Sequence, residues 1–306
     1  MQRPSRRWSH ARVGAQGERR PLLVLRCCCS QNDEVRSPQA ASGPEREPHH
    51  QRRAAESFGS DPERYDRARP RYPGVLIERI VAAAPRGLVL DVGVGTGIVA
   101  RQFQAAGCQV LGVDPDARLA AFARDSGVQV EVSTFEAWEA AGRAFDMVVS
   151  GESWHWVDPV AGAAKAAEVL RPGGRLAVFW NTGQPAAGLD EAFAEVYRRV
   201  LPESLVFRLG RRSREEAHSA MRAKAADGMR AIGAFDPPEH WRFEWVLSYT
   251  REEWLDALQT SGGAIPEGRL ADLLEGVADA IDTVGGSFTM NYVTFVVTAV
   301  RRSTAC

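Results

Sequence analysis

Residues 87–97 read G-L-V-L-D-V-G-V-G-T-G, and this stretch decides the fold of the chain. Its apolar first half is typical of a strand that is buried on both faces of a parallel sheet. Gly93, Gly95 and Gly97 follow at alternate positions, where the missing Cβ permits a sharp turn and lets a ligand approach the backbone. Residues 98–106 then have helical spacing. The stretch therefore predicts a strand, a ligand-binding turn and the N-terminus of a helix.

Two interpretations of this turn remain open on spacing alone. Residues 95–100 fit the dinucleotide pattern G-x-G-x-x-G/A, in which a helix N-terminus binds a pyrophosphate. Residues 91–97 instead resemble motif I of the class I methyltransferases that use S-adenosylmethionine. The resemblance implies that Asp91 orients the methionine ammonium group and that Gly93, Gly95 and Gly97 surround the cofactor. A glycine turn without a ligand is disfavoured, because three alternating glycines are costly to order.

The next predicted strand, residues 109–113, ends at Asp114, about twenty residues beyond the glycines. An acidic residue at that distance accepts hydrogen bonds from the ribose hydroxyls of a bound nucleoside. Asp114 is therefore a predicted ribose ligand. The alternative is an N-cap before Pro115, a role that Asp116 could also fill.

Composition and charge restrict the class of protein. The chain has 306 residues, of which 44% are hydrophobic and 25% charged, so it can bury a substantial core. Its net charge of −1 gives no global attraction for nucleic acid. The five cysteines show neither a disulfide framework nor a metal-binding spacing, and no apolar run is long enough to span a membrane. We expect a cytoplasmic protein, monomeric or homodimeric, with no bound metal.

The N-terminal segment, residues 1–55, differs from the rest of the chain. It is rich in Arg, Ser, Pro and Gln and poor in apolar residues, which predicts disorder. A misassigned start codon is the alternative explanation. The folded domain is expected to comprise residues 56–306.

A second resemblance lies just before the first predicted helix. Tyr65 followed by A-R-P-R-Y-P at residues 68–73 is similar to the methyltransferases related to trans-aconitate methyltransferase, the methyltransferase type 11 group. The resemblance implies that this segment folds over the cofactor and that Tyr65 closes its methionine end. Arg69 and Arg71 could then pair with an anionic acceptor. Solvated arginines on a proline-stiffened surface segment are the alternative.

The predicted third strand ends at residues 133–136, Ser-Thr-Phe-Glu, where relatives contact the adenine. Many relatives have Asp here, and this chain has Ser133 and Thr134 instead. Thr134, Phe135 and Glu136 are therefore the expected adenine contacts, with Glu136 as a substitute for the missing carboxylate.

The predicted fourth strand leads into G-E-S-W-H-W-V-D-P at residues 151–159, where ligands of open parallel sheets bind. Glu152 is an expected cofactor contact. His155 is either a general base or a hydrogen-bonded wall of the sulfonium pocket. Trp154 and Trp156 either hold the cationic methyl group or fill space beneath the sheet. Asp158 and the proline after it have the pattern of an N-cap and a first helical residue.

The remaining chain completes an α/β pattern. The segment L-R-P-G-G at residues 170–174 resembles the same methyltransferases, and the strand after it ends at Asn181, which is expected to face the acceptor. Residues 182–240 have helical spacing without sheet character and are predicted to form a helical cap. The resemblance implies a Rossmann-like, doubly wound, seven-stranded and mostly parallel sheet with an antiparallel last strand.

These features together predict an S-adenosylmethionine-dependent methyltransferase that acts on a small molecule, with a carboxylate or another oxygen as the acceptor. The predicted catalytic residues are His155, Trp154, Asn181, Arg69 and Arg71. A methyltransferase acting on RNA or protein, a dinucleotide-dependent enzyme using NAD and a non-catalytic nucleoside binder are the alternatives.

Overall fold

The computed structural model describes residues 57–83, 87–202, 210–260 and 265–303, so the predicted N-terminal extension lies outside the described residues. Within these ranges the strands are β1 Leu88–Val92, β2 Gln109–Asp114, β3 Gln129–Val132, β4 Phe145–Gly151, β5 Leu170–Pro185, β6 Glu239–Thr250 and β7 Ser287–Val300. The helices are α1 Pro62–Ala68, α2 Gly74–Val81, α3 Ile98–Ala105, α4 Ala117–Asp125, α5 Pro159–Val169, α6 Ala187–Val200, α7 Gly210–Ala231, α8 Arg251–Gln259 and α9 Glu267–Asp282. None of these helices is long and apolar enough to cross a lipid bilayer.

The strands form one sheet in the order β3-β2-β1-β4-β5-β7-β6. Neighbouring strands from β3 to β5 are parallel, whereas β7 is antiparallel to both β5 and β6. This arrangement confirms the predicted α/β fold with an antiparallel last strand. The direction of the strand order reverses between β1 and β4, so ligands are expected beyond the carboxyl ends of these two strands.

Alternate residues of the central strands pack into two separate cores. Leu90 and Val148 face one side of the sheet, where α5 and α7 cover them. Val89 and Met147 face the other side, which α2, α3 and α4 cover. Because both faces are covered, the central strands are apolar almost throughout, which is the pattern that identified β1 in the sequence.

Short polar side chains fix several helix starts as the sequence predicts. Asp158 caps α5 by accepting hydrogen bonds from the backbone N–H groups of the second and third helical residues, and Pro159 is its first residue. Thr250 and Glu253 form a reciprocal capping box at α8. Asp116 caps α4, so the N-cap alternative for Asp114 is wrong.

The predicted helical insertion begins later than its expected boundary at residue 182. Strand β5 continues to Pro185, because β7 is long enough to pair with it from Arg175 to Pro185. Helices α6 and α7 then follow, and β6 begins at Glu239. The helix α7 packs mainly on α5, where Gly228 lies against the backbone of Pro159. The helix α7 therefore covers the same face of the sheet as α5.

Candidate functional site

The glycine-rich turn leaves the backbone open at one position. Gly93, Gly95 and Gly97 all have positive φ values, of 68°, 54° and 88°. A Cβ on Gly93 would lie 2.4 Å from the Cβ of Ser153, so glycine is required there for packing. A Cβ on Gly95 would have no atom within 4 Å, so Gly95 faces open space. The open side at Gly95 is where a ligand can approach the main chain.

The carboxylate of Asp91 is buried without a side-chain partner. Asp91 is only 1% exposed, and no side chain in the described part of the chain donates a hydrogen bond to either oxygen. Burial, and then the negative charge of Asp114, raise the pKa of Asp91 well above its ordinary value, and the backbone N–H of Ala100 lowers it by less. A buried carboxylate without a charged partner is destabilising unless a cation or a donor from outside the chain reaches it.

Asp114 links the end of β2 to the glycine turn. One carboxylate oxygen accepts a 2.8 Å hydrogen bond from the backbone N–H of Gly95, and the other accepts one of 2.8 Å from Asp116. Burial raises the pKa of Asp114 to about 6, although both hydrogen bonds lower it. The carboxylate is thus held rigidly at the cavity wall, with further lone pairs available to a ligand.

The segment after β3 forms the next part of the wall. Phe135 is buried, with its ring centroid 6.1 Å from that of Trp154. Glu136 accepts a 3.0 Å hydrogen bond from the backbone N–H of Asp158, which connects this segment to the start of α5. Thr134 and Ser133 lie beside them on the cavity.

The segment after β4 brings several polar groups together. The indole N–H of Trp180 lies 3.4 Å from His155 Nδ1. Because an indole N–H can only donate, Nδ1 is the acceptor and the neutral ring carries its proton on Nε2. Burial, and then the proximity of His218, lower the pKa of His155 to about 4. His155 is therefore a neutral hydrogen-bond donor at pH 7, which favours its interpretation as a wall residue over a general base.

Asn181 is oriented by a chain of hydrogen bonds across the last strands. The indole N–H of Trp245 donates to Thr294 Oγ1 at 2.9 Å, and the Thr294 hydroxyl donates to Asn181 Oδ1 at 2.6 Å. Because the Trp245 indole can only donate, the Thr294 hydroxyl must donate its own proton to Asn181. This identifies the oxygen and the nitrogen of the Asn181 amide. Asn181 lines the cavity, and its amide nitrogen makes no hydrogen bond to any described residue.

The segment that contains α1 lies over the cavity. Tyr65 and Arg69 line it, and the Arg69 guanidinium is 5.0 Å from the centroid of the Tyr65 ring. Arg69 Nη2 donates a 2.5 Å hydrogen bond to the carbonyl of Thr260 at the end of α8. Arg71 is 46% exposed and pairs with Asp66 at 3.1 Å. The two arginines that the sequence groups together thus have different surroundings.

These elements enclose a cavity of about 1300 Å³ at the carboxyl edge of β1 and β4. Its volume exceeds the roughly 300–1,000 Å³ of a typical single-ligand site, which suits two ligands side by side. The predicted residues that line it are Tyr65, Arg69, Gly93, Gly95, Asp114, Thr134, Phe135, Glu136, Glu152, His155 and Asn181.

Four predicted site residues lie elsewhere. Asp91 is buried near the carboxyl end of β1 and does not line the cavity, and Gly97 precedes α3 and packs against Val128. Trp154 is 2% exposed and belongs to the core under α5, so it fills space, whereas Trp156 lines the cavity. Arg71 forms an ion pair with Asp66 and does not line the cavity.

Several cavity residues were not predicted from the sequence. Tyr72 follows α1, His218 lies on α7, Trp254 lies on α8, and Tyr249 and Tyr292 lie on β6 and β7. The hydroxyl groups of Tyr249 and Tyr292 are 2.8 Å apart. Aromatic residues in strands usually indicate core, and only the pairing of β6 with β7 brings these two hydroxyls to one place.

The comparisons with known proteins agree with this geometry. The family model described as methyltransferase domain matches residues 90–178. The uncharacterised methyltransferase Rv3342 of Mycobacterium tuberculosis is 37% identical over 145 residues, which are 47% of this chain and 59% of that protein. The ubiquinone biosynthesis O-methyltransferase of Xanthomonas axonopodis pv. citri is 38% identical over 125 residues, 38% of this chain and 52% of the relative. The chain thus spans less than two thirds of the length of these relatives.

A solved structure supports the fold over a longer part of the chain. A putative type II methyltransferase from Anaeromyxobacter dehalogenans superposes with a TM-score of 0.53 at 20% identity. The superposition covers 76% of this chain and 97% of the solved one. The matched region, residues 90–178, runs from within β1 through the glycine turn and β4 to the middle of β5. Residues 90–178 thus match a methyltransferase domain, and the fold of the longer chain is similar to that of a solved putative methyltransferase.

Proposed function

We propose that this chain is an S-adenosylmethionine-dependent methyltransferase that transfers a methyl group to an oxygen of a small molecule. The observation that carries the proposal is the buried carboxylate of Asp91, which has no side-chain partner among the described residues and lies close enough to the cavity-lining Asp114 for their charges to interact. A ligand with an ammonium group would neutralise Asp91, whereas a dinucleotide has no ammonium group. The family match at residues 90–178 supports the same cofactor.

The residues present fit this cofactor along one side of the cavity. Asp114 can accept hydrogen bonds from the ribose hydroxyls of the cofactor. Thr134, Phe135 and Glu136 form the adjoining part of the wall, where the adenine would bind. Gly93 and Gly95 allow close approach of the main chain, and Tyr65 of α1 covers the methionine end. The cofactor supplies a methyl group on a positively charged sulfur.

The opposite side of the cavity suits an oxygen-containing acceptor. Arg69 Nη1 and the Asn181 amide nitrogen make no hydrogen bond to a described residue, and His155 carries its proton on Nε2. These N–H donors can hold an acceptor oxygen in line with the methyl group. Trp156, Trp254, Tyr249 and Tyr292 supply flat apolar surface and exclude water.

Among the described residues, Arg69 is the one arginine that lines the cavity, because Arg71 pairs with Asp66. A carboxylate acceptor, for which two arginines were predicted, therefore has less support than the sequence implied. A hydroxyl acceptor is the second candidate, and the name of the ubiquinone biosynthesis O-methyltransferase relative is consistent with it. We further propose that residues 56–306 form the catalytic domain and that the protein acts in the cytoplasm.

Transfer of an isotope-labelled methyl group tests the proposed function. The protein would be incubated with S-adenosylmethionine carrying a ¹³CD₃ methyl group and with fractionated small-molecule extracts, and the products analysed by mass spectrometry. We expect a labelled small molecule and stoichiometric S-adenosylhomocysteine, both absent with the Asp91→Asn variant. Label found only in RNA or protein would contradict a small-molecule acceptor.

A further inference from the structure

The backbone of Glu152 is strained at the cavity wall. Its φ is 55°, and Ala141 is the other non-glycine residue with positive φ in the described part of the chain. This conformation is unfavourable for a residue that carries a Cβ. The hydrogen bond of 2.9 Å from Glu152 N–H to the carbonyl of Phe179 holds it in place. Strain that persists at a cavity indicates that the position of this side chain matters for function.

The strained backbone directs the Glu152 carboxylate into the cavity. Oε1 accepts a 2.5 Å hydrogen bond from the backbone N–H of Asn181, whereas Oε2 makes no hydrogen bond to a described residue. Glu152 lines the cavity and forms no ion pair within the described ranges, although the positive charge of Arg69 acts on it. One oxygen is thus anchored and the other is free to meet a ligand.

The surroundings of Glu152 favour a carboxyl group that exchanges a proton near neutral pH. Burial raises its pKa to about 7, and the Asn181 N–H and the Arg69 charge lower it by less. The other titratable groups that face it are Tyr65 and Tyr72 near α1 and Tyr292 on β7, all with raised pKa values and therefore neutral. His155 has its pKa lowered to about 4 and is a poor base. Among these groups, Glu152 therefore has the pKa nearest to neutral pH.

We propose that Glu152 is the catalytic base of the methyl transfer and that the acceptor is a hydroxyl compound. This inference rests on the proposed function. As the acceptor oxygen forms its bond to the methyl carbon, the carbon–sulfur bond breaks with its electron pair going to sulfur, and the hydroxyl proton moves to Glu152 Oε2. The products are a methyl ether, neutral S-adenosylhomocysteine and a protonated Glu152, which returns the proton to water.

A hydroxyl fits this wall better than the other acceptor groups. A carboxylate is already ionised at pH 7, so it needs no base and would be repelled by an ionised Glu152. An ammonium group would face the N–H donors of Arg69, Asn181 and His155, which cannot accept its protons. A hydroxyl can give its proton to Glu152 while those donors stabilise the negative charge that develops on its oxygen.

The first test separates an acceptor base from a cofactor ligand. Titration calorimetry with S-adenosylhomocysteine would compare the parent protein with Glu152→Gln and, as the positive control, Asp91→Asn. Glutamine keeps an oxygen for the Asn181 N–H, so the variant should fold with a similar Tm. We expect Glu152→Gln to bind within about threefold of the parent and Asp91→Asn to bind at least about tenfold more weakly.

The second test measures the carboxyl group itself. Infrared difference spectra of the complex with S-adenosylhomocysteine, recorded from pH 5 to 9, should show a carboxyl band that titrates near pH 7 and is absent in Glu152→Gln. A carboxyl that titrates in the ordinary range of glutamate would overturn the proposal.

The two proposals fail in different ways. If the parent protein binds no S-adenosylhomocysteine, the proposed function is wrong. If the parent binds it and Glu152→Gln loses tenfold or more in affinity with an unchanged Tm, Glu152 is a cofactor ligand, as the sequence analysis expected, and only the assignment as a base is wrong.

Discussion

At the scale of single residues, three carboxylates are buried at the sheet edge, although burial disfavours their charged form. Asp91, Asp114 and Glu152 all have pKa values raised mainly by burial. A folding core alone would select apolar residues there, so their positions are consistent with ligand binding. The motif allowed Asp91 and Asp114 to be predicted by number. The strain of Glu152 could not be predicted, because φ is set by tertiary contacts with Phe179 and Asn181.

The raised pKa of Asp91 predicts proton release on cofactor binding. Between the ordinary carboxyl pKa and the raised one, the folded protein holds a proton that an ammonium partner would expel. Calorimetry with S-adenosylhomocysteine in buffers of different ionisation enthalpy should show release of a proton in this pH window and less release in Asp91→Asn. Equal proton release by both proteins would show that Asp91 does not meet the cofactor.

The same shift has a consequence for stability. Asp91 loses its proton at a lower pH in the unfolded chain than in the folded protein. The free energy of unfolding therefore falls as the pH rises from the ordinary pKa of Asp91 toward its raised pKa. Asp91→Asn should therefore raise the Tm of the ligand-free protein at pH 7–8 by about 2–4 °C, equivalent to ~1 kcal/mol in a domain of this size. Thermal unfolding at pH 5 and pH 8 should show the larger gain at pH 8.

The open side of Gly95 predicts a specific loss of binding. The substitutions Gly95→Ala and Gly107→Ala should strain the backbone equally, because both glycines have positive φ. Neither substitution creates a steric clash, because no atom lies within 4 Å of the added Cβ. Gly107 lies at the amino end of β2, away from the site. Each variant should lose about 1–2 kcal/mol of stability. Only Gly95→Ala should also lose about tenfold or more in affinity for S-adenosylhomocysteine, and equal affinities would show that Gly95 does not approach the ligand.

At the scale of secondary-structure elements, α1 is a strap tied to both sides of the cavity. Arg64 and Arg67 pair with Asp256 of α8, and Asp66 pairs with Arg101 of α3. The prediction that this segment folds over the cofactor was based only on its resemblance to the methyltransferases. The partner Asp256 could not be predicted, because about 190 residues separate it from Arg67 and only the packing of α8 places it there.

The strap predicts a kinetic effect from a surface substitution. Asp256→Ala should speed the dissociation of S-adenosylhomocysteine several-fold in stopped-flow measurements, because it unties α1 from α8. The matched control is Asp282→Ala, which removes the pairing with Arg251 at the other end of α8. Both variants should keep a Tm within about 2 °C of the parent, since exposed ion pairs contribute little. Equal dissociation rates in the two variants would show that the ion pairs between α1 and α8 do not retain the ligand.

Local sequence signals explain how far the elements could be predicted. The capping box of α8, the Asp-Pro start of α5 and the apolar run of β1 are local, and the structure confirms them. The end of β5 was placed too early, because the extra pairs from Thr182 to Pro185 depend on the length of β7, more than 100 residues away. Strand ends set by distant partners carry little signal in the strand itself.

At the scale of the whole molecule, the fold was predictable because a short motif and an alternating order of strands and helices define it. Only one side of the cavity could be predicted from the sequence. The side proposed to bind the cofactor is formed by the turns after β1, β2 and β3, which contain the recognisable motifs. The side proposed to bind the acceptor is formed by residues of α1, α7, α8, β6 and β7. Residues from five separated elements meet there, and no local pattern indicates that they do.

Residues 1–55 are expected to be dispensable for the cavity. A protein consisting of residues 56–306 should bind S-adenosylhomocysteine with the same affinity as the full chain and unfold at the same Tm. If the arginine-rich segment instead directs the enzyme to RNA, the full chain should show salt-sensitive RNA binding that the shorter protein lacks. Filter binding at two salt concentrations distinguishes these outcomes.

The most direct test of the central claim is calorimetric titration of the parent protein with S-adenosylmethionine, S-adenosylhomocysteine and NAD under identical conditions. We expect saturable one-to-one binding of both sulfur nucleosides, competition between them, and no binding of NAD at the same concentrations. Preferential binding of NAD would contradict the methyltransferase assignment of the cavity and return the glycine-rich turn to the dinucleotide interpretation.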